Sequence, residues 1–134
     1  MIDIENIKEG DPTMEQKNPV GKYQPIFYGG ASGDFNPIHI DPEFGKMAGL
    51  GGNILQGLCT MAFVARMHTD WAGDPGALKR LKVRFSKPVM PLDKVTVKGK
   101  VVAKEGKTVK CEVWAENQNG DQVIKNGEST ITLE

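Results

Sequence analysis

The chain predicts an α+β fold in which an antiparallel sheet wraps around one long buried helix. Three observations carry that prediction. The stretch from about Gln56 to Trp71 has Leu58, Met61, Ala62, Phe63, Val64, Ala65 and Met67 spread nearly all round a helix, which is the pattern of a buried one. The chain after Ala77 breaks into four segments, three of which alternate apolar and polar residues, as a sheet with one buried and one wet face does. The turns between the later segments are short, and Asn119-Gly120 is a strong hairpin signal.

A chain of 134 residues is one domain, here residues 1–134, and is long enough to build a core without disulfides. The opening carries turn residues, Gly10, Asp11, Pro12, Asn18 and Pro19, around a short segment from Thr13 to Lys17 that is expected to be an edge strand. Gln24 to Ala31 reads as a short helix, although Gly29-Gly30 weakens it. Asp34-Phe35-Asn36-Pro37 is turn chemistry, because Pro37 biases Asn36 away from the helical region. Asp41-Pro42 starts another short helix, with Asp41 as its cap, and that helix ends near Gly49. After the long helix, Gly73-Asp74-Pro75-Gly76 is a break.

The first strand alternates Leu81, Val83 and Phe85 with Arg80, Lys82 and Arg84. The second alternates Val95, Val97 and Val101 with Thr96, Lys98 and Lys100, and Gly99 is a candidate bulge. The third alternates Val109, Cys111, Val113 and Ala115 with Lys110, Glu112 and Trp114. The last, Val123 to Leu133, is less regular.

Charge and composition narrow the function classes. Acidic and basic residues are equal in number, which argues against a nucleic-acid binder. No stretch approaches the roughly 18 apolar residues of a membrane helix. The start, Met1 to Glu9, lacks the basic and apolar regions of a signal peptide, so a cytoplasmic location is expected. Cys59 and Cys111 lie far apart and read as reduced apolar residues. Two histidines without cysteine or carboxylate spacing argue against a metal site, and no cofactor is expected.

The segment Ser32 to Asp41, S-G-D-F-N-P-I-H-I-D, carries the candidate chemistry. Asp34 and His39 are five apart across a turn stiffened by Pro37. A turn can bring such a pair to the mouth of a pocket, where a carboxylate and an imidazole make an acid/base pair. The same spacing also fits a well-made turn with His39 at the surface.

The run Tyr28 to His39 resembles the hydratase motif of the MaoC-like family, which includes (R)-specific enoyl-CoA hydratases and 3-hydroxyacyl-thioester dehydratases. The matching features are an aromatic residue, a small residue, D-x-N-P-x-H, and a downstream glycine segment that opens the central helix. The order of elements resembles that of the family from Asp11 to Leu133. The resemblance implies a single hotdog fold, a curved sheet enclosing a central helix. It implies that Asp34 and His39 hold and activate one water, which attacks the β-carbon of a trans-2-enoyl thioester while a proton reaches the α-carbon. Gly57 matches the glycine whose backbone N–H binds the thioester oxygen. Independently, the first N–H groups of a helix lack internal partners and favour negative charge. Asn36 and Gln56 are expected at the substrate, Asn36 orienting either the turn or the water. Ser32 and Gly33 read as turn residues.

Two positions depart from the family pattern. Many relatives have His-Gly where this chain has Gln56-Gly57, and Ala65 stands where some hydratases use a serine to hold the aspartate. His68, near the helix end, reads as a structural or surface residue. Lys79, Arg80, Lys82, Arg84 and Lys87 form a basic run that would suit coenzyme A or acyl carrier protein, or a solvated strand face. Trp114, expected to face outward, hints at an interface.

The expected partners are therefore an acyl-CoA or acyl-carrier-protein thioester and a second copy of the chain in a homodimer, or a sister subunit in a heterodimer. Other functions consistent with the resemblance are a non-catalytic acyl-thioester-binding subunit and a hotdog thioesterase.

Overall fold

The computed structural model describes residues 1–134. It opens with a short strand, β1 (Gln16–Pro19), followed by three short helices, α1 (Gln24–Ser32), α2 (Pro37–Ile40) and α3 (Pro42–Met47). The long helix α4 (Gly57–Ala72) leads through a 3₁₀ turn, Pro75–Ala77, into β2 (Leu78–Phe85). The strands β3 (Lys94–Glu105), β4 (Thr108–Glu116) and β5 (Gln122–Thr132) complete the chain.

All strand pairs are antiparallel, in the order β1-β3-β4-β5-β2. The two hairpins fall where the turn residues predict. Gly106 and Gly120 take positive φ, and the Asn117 side-chain oxygen accepts from the backbone N–H groups of Asn119 and Asp121. β1 lies slightly later than expected, pairing Gln16 with Val97 and Pro19 with Lys94. An edge position suits Pro19, which has no N–H to donate to a ladder.

The expected bulge at Gly99 is not there. Gly99 pairs in register with Val113, and the register shift falls between Val101 and Ala103. Gly99 meets a different need: a Cβ at that position would lie 2.8 Å from the Glu112 carbonyl oxygen. The neighbouring strand comes too close for a side chain.

The inner face of the sheet supplies Val95, Val97, Val101, Val109, Cys111, Val113, Ala115, Val123, Ile124 and Ile131 to one buried cluster. α4 closes that cluster with Cys59, Phe63, Val64, Met67 and Trp71. Each large apolar side chain buried there contributes roughly 1.5–3 kcal/mol relative to exposure. α4 differs from the expected all-round buried helix. Its buried residues, Cys59, Thr60, Phe63, Val64, Met67, His68 and Trp71, form one stripe at helical spacing. One sheet covers one face, so Leu58 on the other side is 63% exposed.

His68 is fully buried, not a surface cation. One ring nitrogen, Nδ1, lies 2.7 Å from the Val64 carbonyl, and the other, Nε2, lies 2.7 Å from Ser129 Oγ. A carbonyl can only accept, so Nδ1 carries the proton and the Ser129 hydroxyl donates to Nε2. Burial pushes the His68 pKa down and keeps the ring neutral.

Candidate active site

The segment between α1 and α3 holds the candidate pair. α1 ends at Gly33, which takes the left-handed conformation at φ +79 and donates its N–H to the Gly29 carbonyl. The Ser32 hydroxyl donates to the Tyr28 carbonyl at 2.7 Å and accepts from Asp34 N–H at 3.1 Å. The chain then enters α2, a single turn absent from the sequence expectation. Pro37 begins it, and the Asn36 side-chain oxygen caps it by accepting from Ile38 N–H at 3.2 Å.

These local bonds set the carboxylate. Asp34 Oδ1 accepts from Asn36 N–H at 3.3 Å, and Oδ2 lies 3.6 Å from His39 Nε2. His39 is anchored from its other side, with Nδ1 2.8 Å from the Ile54 carbonyl. That carbonyl accepts, so Nδ1 bears the proton and, in the neutral ring, the lone pair of Nε2 faces Asp34. The backbone around His39 is fixed as well. Asn53 Nδ2 donates to the His39 carbonyl at 2.9 Å, and Ile54 N–H donates to the Ile38 carbonyl. The histidine side chain is 10% exposed and that of the aspartate 46%.

With the ring neutral, both atoms are acceptors and neither can donate to the other, so at 3.6 Å they can share a donor placed between them. A water molecule, with two O–H groups, is such a donor. The pair can therefore cradle one water, with the histidine on the buried side and the aspartate on the open side.

His39 and Gly57 line one cavity of about 380 Å³. Its apolar wall includes Leu50, Ile54, Leu55, Phe85 and Val89. Gly57 is the first residue of α4, and its N–H belongs to the turn that lacks intrahelical acceptors. The Phe85 ring lies over this glycine: a Cβ on Gly57 would meet Phe85 Cζ at 3.2 Å. Asp34 stands beside the cavity, outside its wall.

Asn36 and Gln56 do not line the cavity. Asn36 orients the turn, through the helix cap described above, with no contact to the cavity. Gln56 is 1% exposed and spends its amide N–H groups on two backbone carbonyls, so the expected substrate contact gives way to an internal one. Ala65 offers no hydrogen bond to Asp34, which is held instead by the Asn36 N–H and, through its backbone, by Gln56.

Sequence reasoning missed Thr60, buried in the cavity wall one turn after Gly57. A lone hydroxyl at i+3 from a helix-opening glycine was the available signal. Phe85, Val89 and Val123 arrive from β2, the following loop and β5, and no local pattern marks them. Lys87 of the basic run also lines the cavity, while it pairs with Asp121 at 3.2 Å. Arg80 pairs across strands with Glu128 at 3.1 Å, as a solvated strand face does.

Comparison with known proteins agrees with this architecture. The MaoC like domain family matches residues 3–123. The mouse peroxisomal multifunctional enzyme type 2 is 38% identical over 107 residues, covering 71% of this chain and 13% of that protein. A probable enoyl-CoA hydratase 2 of Dictyostelium discoideum is 31% identical, covering 92% of this chain and 42% of that one. This chain thus spans less than half the length of either relative. Among solved structures, a MaoC-like dehydratase superposes with a TM-score of 0.91 at 28% identity, over 98% of this chain and 42% of the other. The (R)-hydratase from A. caviae involved in PHA biosynthesis superposes with a TM-score of 0.85 at 20% identity, over 96% and 98% of the two chains. A family match over most of the chain, and a sheet and central helix that superpose end to end on a solved relative, lead to one assignment: the chain belongs to the MaoC-like domain family and has the hotdog fold.

Proposed function

We propose that the chain adds water to trans-2-enoyl thioesters and, in reverse, dehydrates (R)-3-hydroxyacyl thioesters. The observation that carries this reading is the pair of acceptors, Asp34 Oδ2 and His39 Nε2, 3.6 Å apart beside an apolar cavity that also contains the start of α4. The names of the relatives, an enoyl-CoA hydratase 2 and an (R)-hydratase, support the same chemistry.

In this mechanism the acyl chain lies against Leu50, Ile54, Leu55 and Val89, and the thioester oxygen faces Gly57 N–H. Asp34 and His39 bind one water and draw a proton from it as its oxygen attacks the β-carbon. Electron density moves to the thioester oxygen, where the helix N-terminus stabilises the enolate. A proton then reaches the α-carbon. The water supplies both the hydroxyl and the hydrogen, so the pair ends in the protonation state in which it began. Acid/base catalysis of this kind contributes about 10²–10⁴-fold.

The thioester carrier in this reading is coenzyme A or acyl carrier protein. Lys87 at the cavity wall, with Lys82 and Arg84 exposed on β2 nearby, supplies positive charge for either phosphate-bearing group. The working unit is a dimer. Leu58 on the uncovered face of α4, with Phe27 and Phe35 around α1 at 76% and 57% exposed, offers apolar surface for a partner. A sister subunit would meet the same need, and the ChsH1-ChsH2 complex from Mycobacterium tuberculosis contains a chain that superposes with a TM-score of 0.83 at 25% identity.

The test follows loss of enoyl absorbance with purified protein and enoyl-CoA substrates of graded length. Asp34→Asn and His39→Ala are expected to lower kcat by about 10²–10⁴-fold. Full activity in either variant removes the pair from the mechanism. An inactive wild-type chain that gains activity only with a second protein identifies a supporting subunit instead.

A further inference from the structure

We infer that Gln56 is a positioning residue that fixes the Asp34 turn to the start of α4, and so sets the distance between the water-binding pair and the Gly57 donor. Gln56 is the N-cap residue of α4, directly before Gly57, but its side chain does not cap the helix. It turns inward, where it is 1% exposed. Nε2 donates to the Pro25 carbonyl at 2.8 Å and to the Asp34 carbonyl at 3.3 Å. An amide nitrogen has two hydrogens, and each goes to one carbonyl.

The position of these two acceptors matters. Pro25 lies in the first turn of α1, and Asp34 lies just beyond its last. One side chain thus holds both ends of the segment that presents the catalytic carboxylate. The backbone of residues 33–36 otherwise has only local hydrogen bonds, to Gly29, Ser32, Gly33, Asp34 and His39. Gln56 supplies its one hydrogen bond from elsewhere in the fold. The Asp34 carbonyl is also close-packed against α1, since a Cβ on Gly29 would lie 3.2 Å from it.

The arrangement carries a structural penalty. Gln56 Oε1 is buried and has no hydrogen-bond partner. Both faces of the amide cannot be satisfied here, because turning the oxygen toward Pro25 and Asp34 would set acceptor against acceptor. A methionine or leucine would fill the same space without an orphaned oxygen, so the amide is explained by what its nitrogen holds.

The kinetic part of the test rests on the proposed hydratase reaction, and the spectroscopic part does not. Gln56→Met keeps the length and removes both donors. It is expected to lower kcat about 10- to 100-fold, the scale of a misplaced catalytic group, with KM changed less than about threefold. In an Asp34→Asn background the same substitution is expected to change kcat less than about twofold, because the group it positions is already gone. Gln56→His, which keeps a ring donor, is expected to recover most of the loss. Without any substrate, the His39 ring resonances recorded by NMR at one fixed pH are expected to shift in Gln56→Met in the direction that Asp34→Asn shifts them. Equal kcat losses in both backgrounds, a loss confined to KM, or unmoved His39 ring resonances overturn the inference. If wild type shows no hydration while the resonances shift as described, the tie stands and the proposed reaction falls. Should Gln56→Met not fold, Gln56→Asn, shorter by one carbon and still polar, replaces it with the same expected outcomes.

Discussion

Gly57→Ala separates two properties of the α4 start that the wild-type residue combines, a free N–H and an open face. The substitution keeps the backbone N–H and adds one methyl. That methyl would sit 3.2, 3.3 and 3.4 Å from Phe85 Cζ, Cε1 and Cε2, a few tenths of an ångström inside optimal carbon separation. Phe85 is 51% exposed near the end of β2, so its ring can shift. Alanine also favours a helix over glycine by up to about 1 kcal/mol. The two effects oppose each other, and stability is expected to change by less than about 1 kcal/mol, or roughly 3–5 °C in Tm for a chain of this length.

Activity should respond differently. A thioester oxygen must come within about 2.7–3.1 Å of the Gly57 nitrogen to be stabilised. The methyl and the displaced ring would stand in that approach, and kcat/KM is expected to fall about 10²-fold. Adding Phe85→Ala to Gly57→Ala vacates the ring's position and is expected to restore part of the loss, since the donor itself is intact. Steady-state kinetics on the two variants, with a thermal melt of each, read all of these effects. Full activity in Gly57→Ala would show that the thioester does not approach this face. A loss that Phe85→Ala leaves unchanged would refute the steric part of the reasoning.

Two predictions concern stability. Phe63→Ala empties a site that is 6% exposed in the core, and it is expected to cost about 3–5 kcal/mol with an unchanged urea m-value. His68 has a folded-state pKa below its unfolded value of about 6.5, so the unfolded chain binds the proton more readily. Its neutral-form contribution is whole above that value and is lost as pH falls below it; the urea midpoint of wild type should drop between pH 7 and pH 5, and that of His68→Gln should drop less.

Much of the fold was legible because it rests on local pattern. Two of the three alternating strands bury the residues their periodicity marks: Val95, Val97 and Val101, then Val109, Cys111, Val113 and Ala115, each on the inner face. In the edge strand β2, Leu81 and Val83 are only half-buried and Phe85 is exposed, because α4 and the sheet leave that edge partly uncovered. The Asp41 cap was legible for the same reason, since its carboxylate accepts from Glu43 and Phe44 N–H within three residues. α4 was legible as a helix but not in its burial. Its composition is apolar nearly all round, and only the sheet decides that Phe63, Val64 and Met67 turn inward while Leu58 does not.

The site divides along the same line. Asp34 and His39 meet through five residues of turn, and Pro37 and Asn36 make that turn visible in the sequence. What holds the pair spans greater distances. Ile54 is 15 residues from His39, and Gln56 is 22 residues from Asp34 and 31 from Pro25. A glutamine before a helix-opening glycine reads as a polar residue at a cavity mouth, because polar side chains at helix starts usually face solvent or ligand. Burial reverses that reading. Once α1 and the Asp34 turn fold over the start of α4, their carbonyls need donors more than the helix needs a cap, and the amide turns inward to supply them. Gln56, where the motif resemblance leads one to expect a histidine, thus ties the Asp34 turn to α4 through its amide, and the Gly57 N–H remains in the helix turn that lacks internal acceptors.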